Sequence, residues 1–394
     1  MELVKTWLAR SKQFPLSIEL VVEDAEFASH SHLQREIAQV LLLIIPEYKR
    51  WRNIRFNLSR DAHLSLANFP QDGAALLESV DINLDLPGIP DIAAEGALLS
   101  FPHYLQNIFH LSRRLHSLTW RGTHVNAPHY FDSFSQSLTD LTLDSRLAVS
   151  ECLVILAMYP NLKKCALYNV CKASSKKYPF PVTTSLVTHN KLVCLRIEAA
   201  VRLSGLLERL KLPSLQVLTI AYIEPALRRG FSCGTQLAEM IARSSPPLEK
   251  LTLESFPFPE ENLIQLLDSL DTLTTLHLDD ERYHPPGFSD KIIFALGGRE
   301  SGSDFTCPNL EVLKLRGSVA STDGTFAKMI RTRMEAAKSG SGAAQLKVVH
   351  VDFGRGPSVG FFRSSEHRVD AEYLKKLRKE SGVQVRYFIN YVDP

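Results

Sequence analysis

The sequence predicts an α/β solenoid of horseshoe form, with parallel strands on the concave side and helices on the convex side. Three observations carry this. A pattern of the form Leu-x-x-apolar-x-apolar recurs along the 394 residues. Its last two apolar positions are two apart, the period of a strand with one buried face. Between copies, apolar residues return every three or four positions, the period of an amphipathic helix.

The copies are Leu77-x-x-Val80-x-Ile82, Leu115-x-x-Leu118-x-Trp120, Leu138-x-x-Leu141-x-Leu143 and Leu162-x-x-Cys165-x-Leu167. They continue as Leu192-x-x-Leu195-x-Ile197, Leu215-x-x-Leu218-x-Ile220, Leu248-x-x-Leu251-x-Leu253 and Leu273-x-x-Leu276-x-Leu278. Leu310-x-x-Leu313-x-Leu315 and Leu346-x-x-Val349-x-Val351 close the series, and Trp51-x-x-Ile54-x-Phe56 is a further copy without the Leu. The shortest intervals between leading leucines, 23 to 25 residues, match a leucine-rich-repeat period. One such unit cannot bury its own apolar face, so neighbours must stack. The expected fold is therefore a leucine-rich-repeat solenoid in which the leading Leu turns into the same core as the strand.

The helices are read from their faces. Leu33, Ile37, Val40, Leu41 and Ile44 share one face, as do Val149, Leu153, Leu156 and Ala157, and Leu263, Leu266, Leu267 and Leu270. Ser31-x-x-Gln34 is a candidate capping box for the first, and Pro259 suits the first turn of the third. Residues 1–10 read as a short amphipathic helix with Leu3, Val4, Trp7 and Leu8 on one side. The strand-like runs 15–22 and 383–389 lack the leading Leu and read as terminal elements; a helix with Val369, Tyr373, Leu374 and Leu377 on one face precedes the second. Segments 171–190 and 281–308 read as surface insertions, and 338–345 (KSGSGAAQ) as a flexible connector. The expected organisation is a single solenoid over 1–394, with an N-terminal cap at 1–50, repeats at 51–352 and a C-terminal cap at 353–394.

Composition narrows the function. A net charge of +2 lacks the basic excess of a general nucleic-acid binder, so no nucleic-acid partner is expected. The most apolar run, 40–45, is far short of a membrane span, and residues 1–10 lack the features of a secretory leader. The six cysteines form no Cys-x-x-Cys pair, which fits a reducing, cytoplasmic or nuclear setting. The chain is expected to be a monomer.

The chemistry-bearing patterns are weak. Gly354-x-Gly356-x-x-x-Gly360 has the wrong spacing for a phosphate loop. The histidine pairs 30/32, 103/110 and 124/129 have no Cys at ligand spacing. No Gly-x-Ser-x-Gly elbow supports a nucleophile, and the basic run 172–177 reads as a solvated loop. No catalytic residue, cofactor or metal site is expected, and the chain is read as a non-enzyme.

The repeats resemble those of F-box proteins, above all the divergent set of mushroom-forming fungi. Leu3-Val4-Lys5-Thr6-Trp7-Leu8-Ala9-Arg10-Ser11, followed by Pro15-Leu16-Ser17-Ile18, resembles the segment just after the F-box in that family; Trp51-Arg52-Asn53-Ile54 resembles another recurring motif. The resemblance implies a substrate-receptor part for SCF-type ubiquitin ligation, with a protein or peptide as partner. The F-box itself is absent from the sequence, so a Skp1-type adaptor is implied only if an F-box lies upstream. The alternatives are an F-box-less binding scaffold and, from another class, an enzyme of unknown type.

The expected recognition surface lies between the repeat leucines. The position after the last apolar residue is taken as Asn57, Asp85, Arg121, Asp144, Tyr168, Glu198, Ala221, Glu254, Asp279, Arg316 and Asp352. Six of these eleven are acidic, where composition (43 of 394) predicts about one. The preceding variable position is taken as Arg55, Asn83, Thr119, Thr142, Ala166, Arg196, Thr219, Thr252, His277, Lys314 and His350, a neutral-to-basic row without acids. Partner binding is expected at Asp144, Glu198, Glu254, His277, Asp279, Lys314, Arg316, His350 and Asp352, with a preference for basic partner side chains. The competing expectation is that these carboxylates cap local turns and helix starts.

Overall fold

The computed structural model describes residues 1–21, 31–58, 69–70, 72–83, 112–122, 136–172, 185–223, 233–256, 258–280, 288–298, 305–317, 319, 321–353 and 367–388, leaving out the side chains of 31–34 and 280. The chain divides into two compact units, Met1–Leu192 and Val193–Pro394.

The first unit opens with helix α1 (Glu2–Ser11), strand β1 (Leu16–Leu20) and helix α2 (Ser31–Ile44). A 3₁₀ turn over Ile45–Arg50 leads into β2 (Trp51–Asn57). Strands β3 (Ser79–Asn83), β4 (Ser117–Arg121) and β5 (Asp140–Ala148) follow. Helix α3 (Val149–Met158) precedes β6 (Lys164–Cys171), and a short strand, β7 (Val187–Thr188), lies near the unit's end. Strands β1 to β6 pair in chain order, all parallel.

The second unit begins with β8 (Cys194–Ala199), the one-turn helix α4 (Ser204–Leu207), β9 (Leu210–Lys211) and β10 (Val217–Tyr222). Helix then alternates with strand: α5 (Gly234–Ser244), β11 (Lys250–Glu254), α6 (Glu260–Asp268), β12 (Thr275–Asp280), α7 (Asp290–Leu296) and β13 (Val312–Gly317). It ends with α8 (Thr325–Ser339), β14 (Val348–Asp352), α9 (Arg368–Glu380) and β15 (Gln384–Phe388). Strands β8, β10, β11, β12, β13, β14 and β15 pair parallel in that order. Parallel neighbours need a long return connection, which is why a helix lies between most of them.

The repeat pattern is the core. All ten leading leucines are at most 1 % exposed, and the two apolar residues after each are at most 3 % exposed. The leading Leu points inward because its own N–H closes a turn. Leu77 donates to the Ala74 carbonyl at 3.1 Å, Leu162 to Tyr159 at 3.2 Å, Leu273 to Leu270 at 3.2 Å and Leu310 to Cys307 at 3.1 Å. The next residue donates its N–H to the same position of the preceding repeat: Glu78 to Arg52 (2.8 Å), His116 to Glu78 (3.0 Å), Thr139 to His116 (2.9 Å) and Lys163 to Thr139 (2.7 Å). The second unit repeats this from Gln216 to Val193 (2.9 Å), through Glu249 and Thr274, to Lys347 and Glu311 (2.7 Å). This rung precedes the strand, so each Leu is fixed between a turn and a ladder. That satisfies backbone groups which burial would otherwise leave without partners.

The helices cover one face of the second unit's sheet with Leu237, Met240 and Ile241 from α5, Leu263, Leu266 and Leu267 from α6, and Ile292, Ile293 and Leu296 from α7. Their starts are tied by carboxylates. Glu260 at the head of α6 accepts the N–H groups of Ser289 (3.1 Å) and Ile292 (3.3 Å), at the start of α7. Asp290 at the head of α7 accepts Thr322 N–H at 2.7 Å, just before α8. Asp323 accepts Val369 N–H at 3.0 Å, in the first turn of α9, and Asp370 of α9 returns the bond to Ala327 N–H of α8 at 2.7 Å. An anion at a helix start meets unpaired N–H groups and the positive end of the helix dipole.

Several expectations need correction. Helix α1 forms, but it buries no residue; Leu3 is 85 % and Trp7 43 % exposed, so its apolar side is not core. Pro259 sits at the N-cap of α6 rather than inside its first turn. Helix α3 buries Cys152, Leu153, Ile155 and Leu156, while Ala157 is exposed. The segment 281–308 is not wholly an insertion, because it contains α7 with three core residues. The connector 338–345 is partly ordered. Gly340 caps α8 at φ 71°, a left-handed conformation suited to glycine, and Ser341 N–H reaches the Ala336 carbonyl at 2.9 Å. The proposed capping box at Ser31, the three early histidine pairs and the glycine run 354–360 lie outside the described side chains.

Candidate functional site

Each sheet has one face covered by core packing and one face carrying the residues between the repeat apolar positions. The strand pleat sends these residues away from the core. They form two rows, an inner one between the two strand apolar residues and an outer one after the second.

Pairing fixes who stands in each row. Asn83 lies opposite Asn57 and Arg121, and Asp81 opposite Arg55 and Thr119. Asn83 therefore holds the outer position of the Leu77 copy, and Asp81 the inner one; Asp85 lies outside the described residues. The outer row thus has five acids among eleven residues, and the inner row has one. The physical reason is the two-residue period: an assignment two positions late moves each side chain one full pleat along the strand.

In the first unit the charges neutralise each other. Glu19, Arg55, Asp81 and Arg121 form a ladder of alternating sign across β1 to β4, with contacts of 2.9, 3.5 and 2.8 Å. Asp144 accepts Asn169 Nδ2 at 2.7 Å. Asn169 itself has φ 58°, a left-handed position that Asn tolerates. The acid at 144 therefore ties its strand to the end of the neighbouring repeat's strand.

In the second unit the outer carboxylates divide. Glu198 accepts Arg196 Nε at 3.2 Å, and Asp279 faces Arg316 Nη1 at 3.7 Å. Glu254 has no hydrogen bond or ion pair among the described residues. Between them Thr219, Ala221 and Thr252 are buried. The inner row then becomes basic. His277, Lys314, His350 and Arg386 lie directly opposite one another on β12, β13, β14 and β15. Lys314 is half-buried and Arg386 exposed, and neither makes an ion pair or hydrogen bond among the described residues. The Nε2 atoms of His277 and His350 are buried without a hydrogen-bond partner among the described residues.

Electrostatics follow from this placement. Burial pushes the His277 imidazole below its ordinary range; Asp279 opposes that, while Lys314, Arg316 and Lys250 reinforce it. Burial lowers His350 as well, reinforced by Lys314, Arg386 and Arg316. Desolvation and neighbouring cations both disfavour a second positive charge.

The structure thus places His277, Asp279, Lys314, Arg316, His350 and Asp352 together on β12 to β14, with Glu254 on the adjacent β11. Glu198 stands two strands from Glu254, across β10. Asp144 belongs to the other unit. Sequence reading misses Arg386, because β15 lacks the leading Leu that aligns the other copies. Its signal is the alternation Val385, Arg386, Tyr387 in the closing strand.

One further cluster stands apart. Asp323, His367 and Asp370 bring ligand-type atoms within 4.8 Å of one another. Their bonds explain the proximity. Asp370 meets His367 Nδ1 at 2.8 Å while accepting Ala327 N–H, and Asp323 accepts Val369 and Asp370 N–H. His367 stacks on Phe353 at 4.3 Å. The cluster is a clasp between the starts of α8 and α9. The cysteines are free thiols, and burial pushes Cys307 up to about 12, which disfavours the reactive thiolate.

These features define an α/β leucine-rich-repeat protein. No protein-family model matches the chain, and no curated protein matches it. Among solved structures it is similar to the crystal structure of a TLR13–ssRNA13 complex, at 11 % identity and a TM-score of 0.30, over 78 % of this chain and 46 % of that one. The chain spans less than half the length of that neighbour.

Proposed function

We propose that this chain is a protein-binding module that recognises its partner on the open face of its repeat sheet. The observation supporting this is the pair of in-register rows. Their side chains stand one strand apart on the face opposite the repeat leucines. Solenoid sheets offer such surfaces because the repeat core is regular while the intervening positions vary freely.

Within this role we place the chain as the substrate-receptor part of an F-box-type protein of the fungal set, acting in the cytoplasm or nucleus for SCF-type ubiquitin ligation. The support is the resemblance carried by residues 3–11, 15–18 and 51–54 together with the repeats. Co-purification of the full-length gene product with a Skp1-type adaptor tests it, and a stable complex is the expected result. Failure of that complex to form removes the ligase assignment and leaves an F-box-less binding scaffold.

A further inference from the structure

We infer that the β12–β15 end of the second unit's open face binds an extended acidic peptide, seated along the row His277, Lys314, His350 and Arg386. The inference rests on the binding-module reading and adds the partner's chemistry.

Four observations carry it. The four residues are consecutive cross-strand neighbours, so their donors repeat at the strand spacing of about 4.8 Å. The row contains no acid, and Lys314 and Arg386 have no counter-ion among the described residues. Two imidazole Nε2 atoms are buried without a hydrogen-bond partner among the described residues, a costly state that a turn of the half-buried ring toward an incoming acceptor relieves. Arg316, one row out, already faces Asp279, so acceptors are scarce on the inner row alone.

The face also limits the ligand. Asp279 and Asp352 flank the row on its outer side. Arg316 stands in that outer row and faces Asp279, so the outer row is of mixed sign and the acidic side chains of the peptide are matched by the inner row. The preference for basic side chains expected from the acid-rich row falls instead to the other end, where Glu254 has no hydrogen bond or ion pair among the described residues. The histidines add pH dependence. His277 faces Asp279, Lys250, Lys314 and Arg316; His350 faces Lys314, Arg316 and Arg386. Burial and the neighbouring cations disfavour the charged form of both rings in the free protein, while Asp279 partly opposes this at His277. A bound carboxylate favours their protonation, so affinity rises as pH falls toward the lowered titration range of the free rings.

Fluorescence anisotropy of the full chain with three probes tests this: a dye-labelled peptide of about 12 residues alternating Glu and Ser, its Lys/Ser counterpart, and a single-stranded oligonucleotide. The expected result is binding of the Glu/Ser peptide alone, weakened by salt and tighter at lower pH. Lys314→Glu/Arg386→Glu then weakens it at least about tenfold with an unchanged melting temperature, because neither side chain holds the fold together. Absence of Glu/Ser binding, preference for the Lys peptide or the oligonucleotide, or equal binding by the double variant each overturns the inference. Adaptor co-purification is read separately, so a failed peptide test and a failed ligase assignment are distinguishable.

Discussion

Arg333 shows how a single side chain carries a region of this protein. It is fully buried, and its guanidinium donates to the carbonyls of Leu296 (2.8 Å), Thr306 (3.0 Å) and Cys307 (2.7 Å). These carbonyls end α7 and shape the turn before Leu310. Burial lowers its pKa to about 10, so it stays charged at neutral pH. Arg333→Ala removes a charged donor from three buried carbonyls, of which only Cys307 keeps another among the described residues, the Leu310 N–H, and is expected to cost roughly 3 kcal/mol or more in denaturant unfolding. Lysine lacks the planar fork and is expected to restore only part; full rescue by Arg333→Lys would contradict a role that depends on the guanidinium's fork of donors.

Histidine burial sets a pH dependence at the same scale. Desolvation comes first in lowering His189, His277 and His350. Their folded pKa values lie below the unfolded value of about 6.5, so the unfolded chain binds more protons below that pH. Stability is therefore present in full above about pH 6.5 and falls as pH drops through the folded values. Unfolding midpoints measured between about pH 7.5 and pH 5.5 should show the decline. A slope unchanged in His189→Gln/His277→Gln/His350→Gln would remove these groups as its source.

At the scale of elements, each strand is held by its repeat. Leu276 in β12 is completely buried, and Leu276→Ala is expected to destabilise by about 2–5 kcal/mol through lost burial and a residual cavity. The ten leucines and their strand partners are legible in the sequence, because period 2 after a fixed offset has few other meanings. Helices α5, α7 and α8 are harder to read. Segment 281–308 is rich in Pro and Gly, and those residues mask the helical spacing of Ile292, Ile293 and Leu296. The carboxylate ties from Glu260, Asp290 and Asp323 are equally invisible, since each acid bonds a backbone some 29 to 46 residues away.

Across the whole molecule, stability within each unit is a sum of repeat and neighbour terms. Terminal elements have one neighbour and central ones two. Hydrogen exchange is therefore expected to be slowest in β10 to β13 of the second unit and faster in β15, and in the first unit faster in β1 than in β4 or β5. Uniform protection across each sheet would exclude this additive picture. The candidate site shares the limit of any solenoid surface. Its positions are readable from the repeat, but its charge balance is not.

What the amino-acid sequence determines by itself is the repeat strands, the buried face and most of the outward positions, with those of the Leu77 copy and of β15 fixed only by strand pairing. A repeat of fixed period with a Leu at a fixed offset admits one way to bury its apolar residues. The tertiary structure alone decides which charges are already answered. Asp81 is shared by two arginines, Asp279 meets Arg316, and Lys314 and Arg386 meet no counter-ion among the described residues. That outcome depends on which strand lies beside which and in what register, and on distances of a few ångströms over which ion pairing is won or lost.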